Sequence, residues 1–122
     1  MMDAKKTHHD REKYRALIDR AVEQGSIRVA VVHPCDAVSL QGAVEAAWMG
    51  LIRPILVGPP AKIRDVATSN SIDIADFTVV EAAHSHDAAA KAVELVRQGK
   101  VDALMKGSLH TDELMGAVVA QA

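Results

Sequence analysis

Aromatic side chains are nearly missing from this chain, which has one Phe, one Trp and one Tyr among 122 residues. A core without rings must be assembled from Val, Ile, Leu, Ala and Met, as the layers of βαβ proteins often are. Rings for stacking on bases are lacking, and so is any Lys/Arg cluster, with a net charge of −2 when His is neutral. Together these argue against a nucleic-acid binder. The single cysteine, Cys35, excludes an internal disulfide and fits a reducing compartment. No apolar run approaches the ~18 residues needed to cross a bilayer. The polar stretch from Met1 to Arg15 lacks the apolar middle of a secretory signal. The expectation is a cytoplasmic protein without membrane or nucleic-acid partners. Three sequence signatures are absent as well: the dinucleotide fingerprint Gly-x-Gly-x-x-Gly, the phosphate loop Gly-x-x-x-x-Gly-Lys-Ser/Thr, and the nucleophile elbow Gly-x-Ser-x-Gly.

What is present is a rhythm. Four β-type runs, Arg28–Val32, Pro54–Val57, Phe77–Val80 and Val101–Met105, alternate with segments of helical periodicity. The first linking helix sets Leu40, Ala43, Val44, Ala47, Trp48 and Leu51 on one face. The second, Pro59 to Thr68, opens on a proline pair suited to a helix start. The third carries Ala89, Ala92, Val93 and Val96 and closes at Gly99. A leading helix, Asp10 to Gln24, carries Tyr14, Leu17, Ile18 and Ala21, and a last one carries Leu114, Met115, Val118 and Val119. Ser69 to Ala75 is the expected exposed loop. The order α-β-α-β-α-β-α-β-α predicts an α/β fold, a parallel βαβ three-layer sandwich with right-handed crossovers. Length predicts one domain, small for a two-substrate enzyme.

Two strand-to-helix turns concentrate polar groups. The segment 105–111 supplies Lys106 as a cation, Gly107 for close backbone approach, and Ser108, His110 and Thr111 as polar side chains. Thr111 reads as the N-cap of the last helix, so free amides would face the turn and suit a phosphate or carboxylate. Asp112 and Glu113 already complement that helix end, so a plain helix start competes with an anion site. The segment 33–39 places His33, Asp36 and Ser39 at the same sheet edge, with Asp36 as the expected helix cap. Cys35, near a helix start, could have a lowered thiol pKa, but without a base beside it in sequence it reads as a packing residue. His84-Ser85-His86-Asp87 offers two metal-ligand types without a convincingly spaced third, and reads as a solvated helix cap.

Four blocks, in this order, resemble the phosphate acetyl/butyryltransferase family. They are His33-Pro34-Cys35-Asp36-Ala37-Val38-Ser39-Leu40-Gln41-Gly42-Ala43, Gly50-Leu51-Ile52-Arg53-Pro54-Ile55-Leu56-Val57-Gly58-Pro59, His84-Ser85-His86-Asp87-Ala88-Ala89-Ala90, and Leu104-Met105-Lys106-Gly107-Ser108-Leu109-His110-Thr111-Asp112-Glu113-Leu114. The nearest form is similar to the acyltransferase region that follows an enoyl-CoA hydratase domain in some proteins. The resemblance implies reversible acyl transfer, acyl phosphate plus CoA giving acyl-CoA plus inorganic phosphate. It further implies part of an isocitrate/isopropylmalate dehydrogenase-like fold with two α/β domains around a cleft, no redox cofactor or metal, and a homo-oligomer. Residues 1–122 would then form a single incomplete α/β domain, the amino-terminal portion of such an enzyme, inactive alone.

That chemistry defines the groups required. CoA's thiol is only a few per cent ionised at neutral pH if its pKa is near ~8.5, so a base must assist it. The oxyanion and departing phosphate need cations and directed N–H groups. The resemblance assigns Lys106, Ser108 and the amides around Gly107 to the acyl-phosphate end, with His110 and Thr111 matching a family His-Thr pair. His33, Asp36 and Ser39 would line the cleft. No catalytic base is assigned, because the family's arginines and acid directed at CoA lie beyond the matched blocks. A non-catalytic flavodoxin-like phosphate or nucleotide module is the competing function, and self-association through the last helix a third.

Overall fold

The computed structural model describes residues 25–120 and, ahead of them, 13, 15–17 and 19–20. Its elements run β1 (Ile27–Val32), α1 (Ala37–Trp48), β2 (Ile52–Gly58), α2 (Pro60–Ser69), β3 (Thr78–Glu81), α3 (Ser85–Arg97), β4 (Ala103–Lys106) and α4 (Thr111–Ala120). All four expected strands and four linking or closing helices are found. Residues 13, 15–17 and 19–20 of the expected leading helix are helical, whereas its Tyr14, Ile18 and Ala21 lie outside the described residues. Leu17, expected on its packing face, is 64% exposed.

The four strands form one parallel sheet in the order β3-β2-β1-β4. The chain steps outward from β1 to β3, then crosses back to lay β4 on the other side of β1. Register sets Val32 between Val57 of β2 and Lys106 of β4. The reversal makes a topological switch point beyond the carboxyl ends of β1 and β4, the position where open α/β sheets bind ligands.

Helices cover both faces. Alternation along β1 sends Val29 and Val31 to one side, where they meet Leu40, Ala43, Val44, Ile63 and Ala67 of α1 and α2. It sends Ala30 and Val32 to the other, against Ala88, Ala89 and Ala92 of α3 and Leu114 of α4. The second layer explains the shortage of rings. Alanine on strand and helix alike lets α3 lie close to the sheet, where an aromatic would not fit.

Helix ends follow local chemistry. Asp36 caps α1 by accepting from the Ser39 amide at 2.8 Å. At α3, His84 Nδ1 accepts from the Asp87 amide at 3.2 Å, while Asp87 accepts from the Ala83 amide at 2.9 Å. This reciprocal cap is what the His84-Ser85-His86-Asp87 run does, and its carboxylate is held below the usual range chiefly by that Ala83 amide. Gly99, in the left-handed region, follows α3 as expected.

Two apolar expectations fail in the same way. Trp48 is 70% exposed although its spacing put it on the inner face of α1, and Val96 at the end of α3 is exposed too. Both sit in the last turn of their helix. In the 69–75 loop most side chains are exposed, but Ile72 and Ile74 pack against the α1/α2 core.

Candidate functional site

The switch point brings the two polar turns together. The Gly107 amide donates to the Val32 carbonyl at 2.8 Å, and the Ser108 amide donates to the His33 carbonyl at 2.8 Å. The Ser108 hydroxyl donates to that same carbonyl at 2.8 Å and accepts from the Cys35 amide at 3.2 Å. His33 Nδ1 lies 2.9 Å from the Ser108 carbonyl oxygen and 3.1 Å from its hydroxyl. Residues 75 positions apart thus form one hydrogen-bonded unit.

Two backbone features permit this closeness. His33 has φ +57, a left-handed conformation uncommon for a residue with a side chain, at which Asn, Asp and His are enriched. Strain of this kind persists where surroundings fix it, and it clusters at functional sites. Here the His33 amide is bonded to the Val57 carbonyl at 2.8 Å and its carbonyl to the Ser108 and Cys35 amides. Gly107 is buried, and a Cβ there would collide with the His33 carbonyl and lie 2.5 Å from the Val32 carbonyl oxygen. Glycine is therefore required for the two turns to touch.

That geometry corrects one expectation. The amides around Gly107 are not directed outward, because those of Gly107, Ser108 and Leu109 all donate within the turns. A second correction concerns the last cap. Thr111 is the first helical residue of α4, and the carbonyl of His110 accepts from Leu114 at 3.3 Å, so His110 holds the cap position. The shift of one residue reflects the tight Gly107–Leu109 turn. His110 and Thr111 are exposed, and no hydrogen bond among the described residues ties them to the β1 turn. The α4 amides with no helical partner are those of its first residues.

Charge around the turns is mixed. Lys106 closes β4, is exposed, and sets its Nζ 3.4 Å from the Gly107 carbonyl. The Asp36 carboxyl is held below its usual range, first by the Ser39 hydroxyl, then by the Ser39 amide, with Lys106 and His33 adding charge attraction. Ser39 is consequently committed to the cap, with its hydroxyl 2.5 Å from Asp36 Oδ1. The Cys35 thiol is pushed up by burial, against an opposing pull from Lys62. The lowered pKa that a helix start allows is therefore not what this environment produces, and Cys35 stands as a packing residue.

The sequence offered no sign of a second cluster where α3 meets α4. Ser85 donates to Glu113 at 2.7 Å, which lowers the Glu113 pKa and turns that carboxylate toward α3. A cleft of about 450 Å³ beside it is lined by His86, Ala90, Asp112, Glu113, Gly116 and Ala117. Its two carboxylates disfavour an anion. Among the described residues no group of three or more His, Cys, Asp or Glu could hold a metal ion. No helix among them is long and apolar enough to cross a membrane.

The chain is similar in sequence to proteins named phosphate acetyltransferase and phosphate butyryltransferase. The chain is 56% identical over 110 residues to a phosphate acetyltransferase of Rhizobium meliloti, covering 90% of this chain and 35% of that protein. It is 32% identical over 108 residues to a phosphate butyryltransferase of Clostridium acetobutylicum, covering 88% of this chain and 36% of that protein. A phosphotransacetylase structure from Streptococcus pyogenes superposes with a TM-score of 0.69 over 84% of this chain and 41% of that one, at 17% identity. That likeness supports the parallel α/β fold. No protein-family model matches the chain. The chain spans about a third of the length of the curated relatives it matches. The resemblance read from four blocks is borne out.

Proposed function

We propose that this chain, whose sequence kinship is with the phosphate acetyltransferases and phosphate butyryltransferases, supplies one wall of an acyl-transfer cleft. The reaction is acyl phosphate plus CoA giving acyl-CoA plus phosphate, in either direction. CoA, acyl phosphate and inorganic phosphate are the partners, and no resident cofactor is required for the transfer. The residues are one incomplete α/β domain, the amino-terminal portion of an isocitrate/isopropylmalate dehydrogenase-like enzyme that works as a homo-oligomer in the cytoplasm.

The observation that carries this reading is the joining of two polar turns at the switch point of a parallel sheet. Lys106 is the cation for the phosphoryl group, with Ser108 behind it and His110 and Thr111 at the mouth of α4. His33, Asp36 and Ser39 form the adjoining wall, Asp36 and Ser39 by fixing the start of α1. Lys106 offsets charge on the phosphoryl group, and Lys62 of α2 lies near enough to act on the Cys35 thiol of the same turns.

Titration of the chain with acetyl phosphate, inorganic phosphate and CoA, followed by backbone amide shifts, tests the reading. Shifts centred on Lys106, Ser108 and Thr111 are expected with acetyl phosphate, together with no phosphorolysis of acetyl-CoA by these residues alone. Shifts with a flavin or a nucleotide and none with acetyl phosphate would identify a flavodoxin-like module instead.

A further inference from the structure

Packing alone holds α4 more loosely than its neighbours. Leu114 is its one buried side chain, with Leu109 just ahead of it, whereas α1 buries Leu40, Ala43 and Val44 and α3 buries Ala88, Ala89, Ala92 and Val93. The α3 residues in the core shared with α4 are alanines, a shallow surface with little to interlock. Apolar burial is also non-directional. It sets how closely α4 lies to the sheet and leaves open how its first turn is oriented. Yet α4 begins at His110 and Thr111, two residues of the proposed phosphoryl site.

One directional contact supplies what packing leaves open. Ser85, in the first turn of α3, donates its hydroxyl to Glu113 in the first turn of α4 at 2.7 Å, across 28 positions of sequence. Glu113 follows the His110 cap at the position from which a glutamate reaches back to the amide of the cap residue. Its carboxyl is held below the usual range first by the Ser85 hydroxyl, then by the His110 amide, with His110 and His86 adding charge attraction against the effect of burial. Contacts thus run from Ser85 through one carboxylate to the backbone of His110. Among the described residues no other hydrogen bond joins the first turns of α3 and α4. The cap of α3 makes no use of Ser85, since His84 and Asp87 complete it between them. The Ser85 hydroxyl is therefore spent entirely on α4.

We infer that Ser85 is a positioning residue of this site: acting through Glu113, it fixes the entry to α4 so that His110 and Thr111 are presented to the phosphoryl group. The inference rests on the acyl-transfer reading above. Ser85 touches no substrate and exchanges no proton. Its effect is to hold a carboxylate on the α3 side of the helix start, where that carboxylate braces the His110 backbone. Lys106 remains the cation for the phosphoryl oxygens, on the opposite side of the Gly107–Leu109 turn from this brace. The His84-Ser85-His86-Asp87 run then has two separate tasks, His84 and Asp87 closing their own helix and Ser85 setting the next one.

The test is NMR titration of the 122-residue chain with acetyl phosphate and with inorganic phosphate, read at the His110 and Thr111 amides. Ser85→Ala should weaken both ligands about tenfold, the worth of one hydrogen bond to a charged group. Ser85→Thr keeps the hydroxyl and should restore wild-type affinity. Glu113→Asp keeps the charge and the helix start but is too short to reach both partners, so it should match Ser85→Ala. Adding Ser85→Ala to Glu113→Asp should then change affinity by less than about twofold, because the two residues act in series. A folded Ser85→Ala chain that binds within about twofold of wild type overturns the inference, and so does a full further loss on top of Glu113→Asp. Lower stability in urea with unchanged affinity overturns it too, since the brace would then be structural only. A wild-type chain whose amides shift with neither phosphate ligand overturns the functional reading and the inference together. Glu113→Asp and Ser85→Thr carry the same decision should Ser85→Ala fail to fold.

Discussion

The two ends of the β1–β4 pair are joined by opposite means. At the amino end Arg28 donates to Asp102 through Nε at 3.0 Å and Nη2 at 2.7 Å, and Asp102 returns its amide to the Arg28 carbonyl at 2.8 Å. Both side chains are well exposed, at 39% and 50%. At the carboxyl end the contacts are neutral, partly buried and made to backbone, and a glycine without room for a methyl group sits at their centre. An exposed ion pair tolerates loss because water replaces each partner. A backbone-to-backbone contact tolerates almost nothing, because neither side can move without displacing a strand. Adjustable chemistry is thus placed where no ligand is expected, and rigid geometry where one is.

The sharpest way to break this contrast is Gly107→Val. The branched side chain would have to enter space occupied by the carbonyls of Val32 and His33. Destabilisation of about 3 kcal/mol or more is expected, at the upper end for overpacking, with the His33 imidazole resonances collapsing toward those of a free histidine. Urea unfolding monitored by circular dichroism and imidazole NMR measure the two effects. A fully stable variant with an unchanged His33 would show that the turns are not in contact. An intermediate effect belongs to Asp36→Ala. It removes the cap of α1 while leaving Ser108 and His33 in place, and should cost about 1 kcal/mol. Because the Asp36 pKa is lowered in the fold, that difference should be present at neutral pH and vanish as pH falls through the folded value. Chemical-denaturation midpoints from neutral pH down to about pH 2.5 would follow it.

Much of the fold was readable because it depends on local patterns. Alternation along β1 and the i, i+3, i+4 spacing of Leu40, Ala43 and Val44 located the strand and its helix, and both are buried as expected. The same spacing misled at Trp48 and Val96, since periodicity names a face but not where the partner layer ends. The site was legible as two separate turns rich in polar residues. Their junction was not, because a hydrogen bond between residues 33 and 108 depends on strand order, and nothing in the residues near His33 specifies that β4 lies beside β1. Gly107 illustrates the limit well. It read as room for a ligand, whereas the structure uses that room for another part of the chain. Thr111 failed by one residue for a related reason, the compact turn formed by the Leu109 amide and the Gly107 carbonyl at 3.1 Å.

The smallest expected effect is at the amino end, and its smallness is what sharpens the comparison. Arg28 holds the Asp102 carboxyl below the usual range, chiefly through the side-chain hydrogen bonds, then through its backbone amide and its charge. A carboxylate whose folded pKa is depressed contributes above its unfolded value, about 3.9, and loses that contribution as pH falls through the folded one. Asp102→Asn should therefore lower stability at neutral pH by less than Asp36→Ala does, and the gap to wild type should close in acid. Screening shortens to about 3 Å in 1 M salt, so the neutral-pH gap should shrink there as well. Gly107→Val should keep its full penalty under both conditions, since no charge is involved. Unfolding midpoints for the two variants at neutral and acid pH, each at low and high salt, form the complete test. If Asp102→Asn proved the costlier change and ignored salt, the amino-end pair would be as rigid as the carboxyl end, and the contrast between them would be wrong.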